Sequence, residues 1–136
     1  DMTEKLIPYF EAASKEVVQR KRILTISVHS EPIDIPVNHI LYLEANLRVI
    51  IVHLIHDERT EYHFYSNLSD LSKKLEDLGF LRVQRSFLVN MEYIVQLQYE
   101  KVSLIGGIVL PSSAKNHKEL KQHYLLWRGK NRWAIS

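Results

Sequence analysis

The stretch LRVQRSFLVN, residues 81–90, sets Arg82, Gln84, Arg85 and Ser86 among apolar residues of strand type. A plain buried strand would carry more apolar side chains there. Arg85 offers a planar fork of donors that matches two acceptors on a guanine edge, or a phosphate. Gln84 is suited to pairing an adenine edge, and Ser86 and Asn90 to contacts with phosphate or sugar. The blander alternative, that Arg82 and Arg85 are ordinary surface arginines flanking a strand, stays open on these residues alone.

Other chemistries find less support. The chain has seven histidines. His53 and His56 stand three apart in or beside a strand, which turns them to opposite faces, whereas a chelating pair in a strand needs i and i+2. His117 and His123 stand six apart, a poor fit to the i, i+4 pair that lets two helical histidines share an ion. The carboxylates Asp57, Glu58 and Glu61 sit in or beside an expected turn and read as solvated. There is no G-x-S-x-G elbow, and the only Gly-Gly lies in a hairpin with no helix behind it to receive a phosphate. The expectation is therefore no enzyme, no metal and no cofactor.

A chain of 136 residues suits one domain with its own core. No apolar run approaches the roughly 18 residues of a membrane span, and no signal peptide opens the chain. Membrane insertion is not expected, and the absence of cysteine fits a reducing cytoplasm. The opening Asp1-Met2 suggests a piece of a longer protein. The net charge of +2 hides an asymmetry. Residues 23–110 carry seven Lys and Arg against eleven Asp and Glu, whereas residues 111–136 carry six against Glu119 alone. Such a basic end attracts anionic partners, although a solvated tail has the same composition.

Something must hold these side chains in place. Residues 5–20 read as a short helix behind Pro8, with Phe10, Ala13 and Val17 at helical spacing, so residues 1–22 form a linker. From Ile23 the texture is β: ILTISV (23–28), IDIPV (33–37), HILYLEA (39–45), RVIIVHLI (48–55) and TEYHFY (60–65). In the fourth run Val49, Ile51 and His53 share one side and Ile50, Val52 and Leu54 the other, which predicts a sheet covered on both faces. A helix follows, with Leu68, Leu71, Leu75 and Leu78 on one side, Ser66 or Asn67 as its cap and Gly79 at its end. YIVQLQY (93–99) and a hairpin around Gly106-Gly107 come next, the glycines suiting a tight primed turn. The closing helix has His117, Leu120, Tyr124 and Trp127 on one face and a capping box of Asn116 with Glu119, or else Ser113 as its cap. The domain is expected over 23–128 with a basic tail at 129–136. No short turn joins two helices as in a helix-turn-helix, so a reader of DNA built this way must present loops or strands to the groove.

FLRVQRSFLVNMEYI (80–94) resembles the signature of the LytTR family, DNA-binding domains of bacterial response regulators. The family pattern is aromatic, x-R-x-H-R-S-aromatic-x-V-N, then isoleucine. IDIPVNHILYLEA (33–45) is similar to the family's opening pattern, and the leucine helix, the Gly-Gly hairpin and LPSSAKNHKELKQHY follow in the family's order, so that the resemblance covers residues 23–126. It implies a mainly β fold, an elongated antiparallel assembly with two or three short helices. It also implies binding of double-stranded DNA at imperfect direct repeats in promoters, with bending of the duplex. Three loops would make the contacts. The first falls at EANLR, where Asn46 or Arg48 is the base reader; the second at Arg85 beside Gln84; the third at Lys115. Arg82, Ser86, Asn90, Ser113, Asn116, Lys118 and Lys121 are the expected phosphate contacts. Two residues depart from the pattern. Gln84 replaces the usual histidine and loses its pH-sensitive charge. Lys115 stands where an arginine is usual and offers a point charge in place of a fork.

The resemblance implies a transcriptional regulator. It is too short to hold a phosphoacceptor receiver domain as well. It would be the output half of a two-component response regulator, or a free-standing regulator, with a receiver domain or separate signalling partner and two copies on a repeat. The alternative is a protein-interaction module on the same fold, with a membrane or receiver partner and no DNA role. The acidic balance of residues 23–110 and the two departures motivate it.

Overall fold

The computed structural model describes residues 22–132. The expected linker helix at 5–20 lies outside them. Ten strands run in chain order: β1 Ile23–Val28, β2 Glu31–Pro36, β3 Ile40–Asn46, β4 Val49–Leu54, β5 Glu61–Tyr65, β6 Phe80–Gln84, β7 Phe87–Asn90, β8 Ile94–Leu97, β9 Lys101–Leu104 and β10 Ile108–Pro111. Helix α1, Leu68–Leu75, separates β5 from β6, and α2, His117–Asn131, follows β10. The fold is mainly β, and every strand pairing is antiparallel.

The central sheet has five strands in the order β5-β4-β3-β7-β6, and β3 is its middle strand. Its two faces build two separate cores. On the first face Leu43, Ile50, Val52, Phe80 and Leu88 pack under Leu68, Leu71 and Leu75 of α1 and under Ile26 and Ile35 of the β1-β2 hairpin. On the second, Tyr42, Leu81, Val83 and Val89 pack against Val102, Leu104 and Leu110 of the β8-β9-β10 sheet and against Leu120 and Tyr124 of α2. The covering of the second face stops short of its β4-β5 end. Ile50 and Val52 of β4 are fully buried, but Val49, Ile51 and His53 are half-buried. The apolar character of both sides of β4 therefore overstates its cover.

Local sequence explains the ends of the elements. The Asn67 side chain accepts from the Asp70 amide at 2.9 Å and caps α1. The helix tightens into a 3-10 turn over Glu76–Leu78 and stops at Gly79, φ +91°. A Cβ at Gly79 would lie 3.1 Å from Nε1 of Trp127, so this turn needs glycine both for its backbone and for the close approach of α2. Gly106 and Gly107 both have positive φ, as the hairpin requires, but the link between Leu104 and Ile108 has three residues in place of two. The capping box at α2 is not formed. Asn116 makes no side-chain bond to the helix, and its own amide donates to Oγ of Ser113 at 3.3 Å. α2 continues to Asn131, beyond the expected domain end at 128.

Candidate nucleic-acid interface

The residues of the three expected loops lie far apart in sequence, near 46, 85 and 115. Two backbone hydrogen bonds bring them together. β3 pairs with β7 as far as Glu44 opposite Phe87, and the ladder then ends with the Ala45 amide donating to the Ser86 carbonyl at 2.9 Å. This ties the β3-β4 hairpin to the β6-β7 turn. On the far side of that turn, the Ser113 amide donates to the Val83 carbonyl at 2.7 Å, which ties in the loop ahead of α2. The Arg48 carbonyl in turn accepts from the Ser66 amide at 3.2 Å, linking the hairpin to the start of α1.

The side chains at this end are exposed and cationic. Asn46, Arg48, Arg85, Lys115 and Asn116 are exposed, as are Lys118 and Lys121 on α2, while Gln84, Ser86 and Ser113 are half-buried. Among the described residues no carboxylate forms an ion pair with Arg48, Arg85, Lys115, Lys118 or Lys121. Their charges are available to an anion. The β6-β7 pairing shifts register between Arg82 and Gln84, a bulge that turns the end of the ribbon while Val83 stays buried.

Two of the expected phosphate contacts have hydrogen-bond partners within the protein. Asn90 is 5% exposed; its amide donates to the Ile40 carbonyl at 2.9 Å and its oxygen accepts from the Glu92 amide at 3.1 Å. It lies opposite Phe80 on the first face of the sheet, where it holds β7 to β3. Arg82 stands on the same face, opposite Leu88 and next to α1. Its Nη1 donates to Oγ of Ser69 at 3.0 Å, its Nη2 donates to the carbonyl of Arg85 at 2.8 Å, and its Nε is buried. The half-buried guanidinium thus braces the turn that presents Arg85. Alternation along β6 places Arg82 on the α1 side, but only the packing of α1 supplies Ser69.

Three of the histidines, His39, His53 and His63, lie beside carboxylates. On the second face of the sheet, Nε2 of His53 lies 2.7 Å from Glu44, and His63 lies 3.1 Å from Glu61. Tyr42 stacks on His53 with ring centroids 4.1 Å apart. Burial pushes the Tyr42 hydroxyl above the usual tyrosine range, and the Glu44 and Glu61 carboxylates add to it. Elsewhere Nδ1 of His39 lies 3.3 Å from Asp57. Among the described residues no group of three or more potential ligands is arranged to hold a metal ion. No described helix is long and apolar enough to cross a membrane.

One exposed residue at this end escaped the sequence reading. Leu47, between Asn46 and Arg48, is 95% exposed with φ +58°. Apolar alternation marks it only as a break between two strands.

Comparison with known proteins agrees with the architecture. A solved LytTr DNA-binding domain, assigned to a methyl-accepting/DNA response regulator of Bacillus cereus, superposes with a TM-score of 0.62 at 22% identity, over 76% of this chain and 96% of that one. That likeness concerns the fold. No curated protein matches the sequence. The model of the LytTr DNA-binding domain family matches residues 30–125, a span that contains all three loops. Matched over most of its length by that model, the chain belongs to the LytTR family of DNA-binding domains.

Proposed function

We propose that this domain binds promoter DNA sequence-specifically, as the output domain of a bacterial two-component response regulator in the cytoplasm. The observation that carries the reading is the joining of the 46–48, 84–86 and 113–116 loops through Ala45–Ser86 and Val83–Ser113, with Arg48, Arg85 and Lys115 exposed upon them. A strand-framed Arg85 needs little ordering on binding, which favours planar recognition of a base edge. Arg85 and Gln84 read bases in the major groove, with Asn46 or Arg48 and Lys115 on either side. Ser86, Ser113, Asn116, Lys118 and Lys121 serve the phosphates. Two copies on imperfect direct repeats, and a receiver domain or separate signalling partner upstream, complete the assembly. The domain performs no catalysis in this scheme.

The test is selection from a randomised duplex pool at two salt concentrations, followed by titration of the enriched site. The expected result is a directly repeated motif whose affinity falls steeply with salt. Arg85→Ala should cost about 1–3 kcal/mol on that motif and relax preference at one base, with little loss on random DNA. Equal losses on both would remove Arg85 as a base reader. Absence of any salt-dependent duplex binding would favour the protein-interaction module.

A further inference from the structure

Leu47 combines two features that a hairpin does not need. It occupies the first of the two residues joining β3 to β4, since Asn46 pairs with Val49. Its φ of +58° lies in the left-handed region that glycine or asparagine adopts readily and leucine does not. Its side chain is also 95% exposed, the most exposed large hydrophobic among the described residues. A lone surface leucine is ordinary, and so is a left-handed turn residue. Their coincidence is not, because glycine or asparagine here would relieve the backbone and remove the exposed apolar surface at once. Strained positions of this kind tend to lie at functional sites. Neither core uses Leu47, and its neighbours Asn46 and Arg48 are exposed polar residues on the hairpin tied to the Arg85 turn.

We infer that Leu47 is a specificity-determining residue that packs on the 5-methyl group of a thymine. The inference rests on the DNA-binding reading above and names one base that the first loop selects. The thymine methyl is the apolar group that a base pair displays in the major groove, and a two-stranded ribbon fits that groove. An isobutyl group at the ribbon's tip meets the methyl, while Asn46 and Arg48 beside it supply hydrogen bonds that the neighbouring edges can accept. A leucine wedged between base steps would act through stacking instead and would be indifferent to the methyl.

The test compares the wild-type domain with Leu47→Gly, a variant that removes the side chain at a backbone angle glycine tolerates. Both proteins select from the same randomised duplex pool. Each thymine of the wild-type site is then replaced by deoxyuridine, which lacks only the methyl. At one thymine the wild type should lose about fourfold in affinity, the scale of one buried methyl group. Leu47→Gly should bind the two duplexes alike there and should enrich no thymine at that position. A merely structural role for Leu47 would lower affinity for both duplexes equally and leave the ratio unchanged. That result, or sequence-selective binding with no thymine effect in the wild type, would overturn this inference alone. Failure of the wild type to enrich any sequence would overturn the DNA-binding reading and this inference with it.

Discussion

Arg82 holds Arg85 from behind: Nη2 of the first donates to the backbone carbonyl of the second at 2.8 Å, across the turn that separates β6 from β7. The same guanidinium reaches Ser69 of α1 with Nη1. The exposed arginine of the RS turn is thereby positioned by a second arginine anchored to a helix. Of the two arginines in the QRS region, one faces solvent and the other fixes its backbone.

That division makes Arg82 a positioning residue with a distinct signature. Arg82→Lys keeps the charge but loses the planar fork that spans Ser69 and the Arg85 carbonyl. Affinity for the selected site should fall, while the slope of log affinity against log salt should be unchanged for both Arg82→Lys and Arg82→Ala. Arg82→Ala should also cost about 1 kcal/mol of stability, measured by urea denaturation. A slope reduced by about one unit in Arg82→Ala would instead mark a phosphate contact.

Asn90 should behave as a structural residue throughout. Asn90→Ala leaves the Ile40 carbonyl and the Glu92 amide without their side-chain partner. The expected loss is about 1–3 kcal/mol, or a Tm lower by several degrees for a domain of this size. Below that Tm, the salt slope for DNA should match that of the wild type. An unchanged Tm with weaker DNA binding would contradict the assignment.

Tyr93 supplies an alkaline test of the fold. Its hydroxyl donates to the Asn38 carbonyl. Burial holds its pKa above the usual tyrosine range, and the Glu92 carboxylate adds to the shift. A tyrosine more tightly protonated in the folded state stabilises the fold fully below its unfolded pKa of about 10. That contribution is lost as pH rises from there through the folded pKa. Tyr93→Phe should cost about 0.5–1.5 kcal/mol at pH 7 and show a shallower loss of stability above pH 10. Identical alkaline profiles in denaturant titrations would remove Tyr93 as a source of this dependence.

Much of the architecture could be read from pattern. The period-2 runs between residues 23 and 65 became strands, and the leucine spacing of α1 placed Leu68, Leu71 and Leu75 in the core. The Gly79 stop and the Gly-Gly hairpin followed from the positive φ angles that glycine allows. Other partners were set by contacts remote in sequence. Asn90 looks like a polar residue ending a strand until Ile40, fifty residues earlier, lies across from it. At α2 the choice was local: Asn116 and Glu119 have the spacing of a capping box, but it is the alternative cap, Ser113, whose Oγ accepts from the Asn116 amide.

By itself the sequence determined which side chains could serve as readers. The fork of Arg85, the basic excess after residue 110 and the strand-forming frame around residues 81–90 are properties of residue type and spacing. Only the tertiary structure decided which of those groups face outward together. Covalent order separates residues 46, 85 and 115, and local propensity carries no information about their distance. Their convergence depends on the β3-β7 pairing and on the Ser113–Val83 bond. The same packing turned Asn90 inward, because a polar group drawn into a sheet interior must find partners there, whatever else it could have bound.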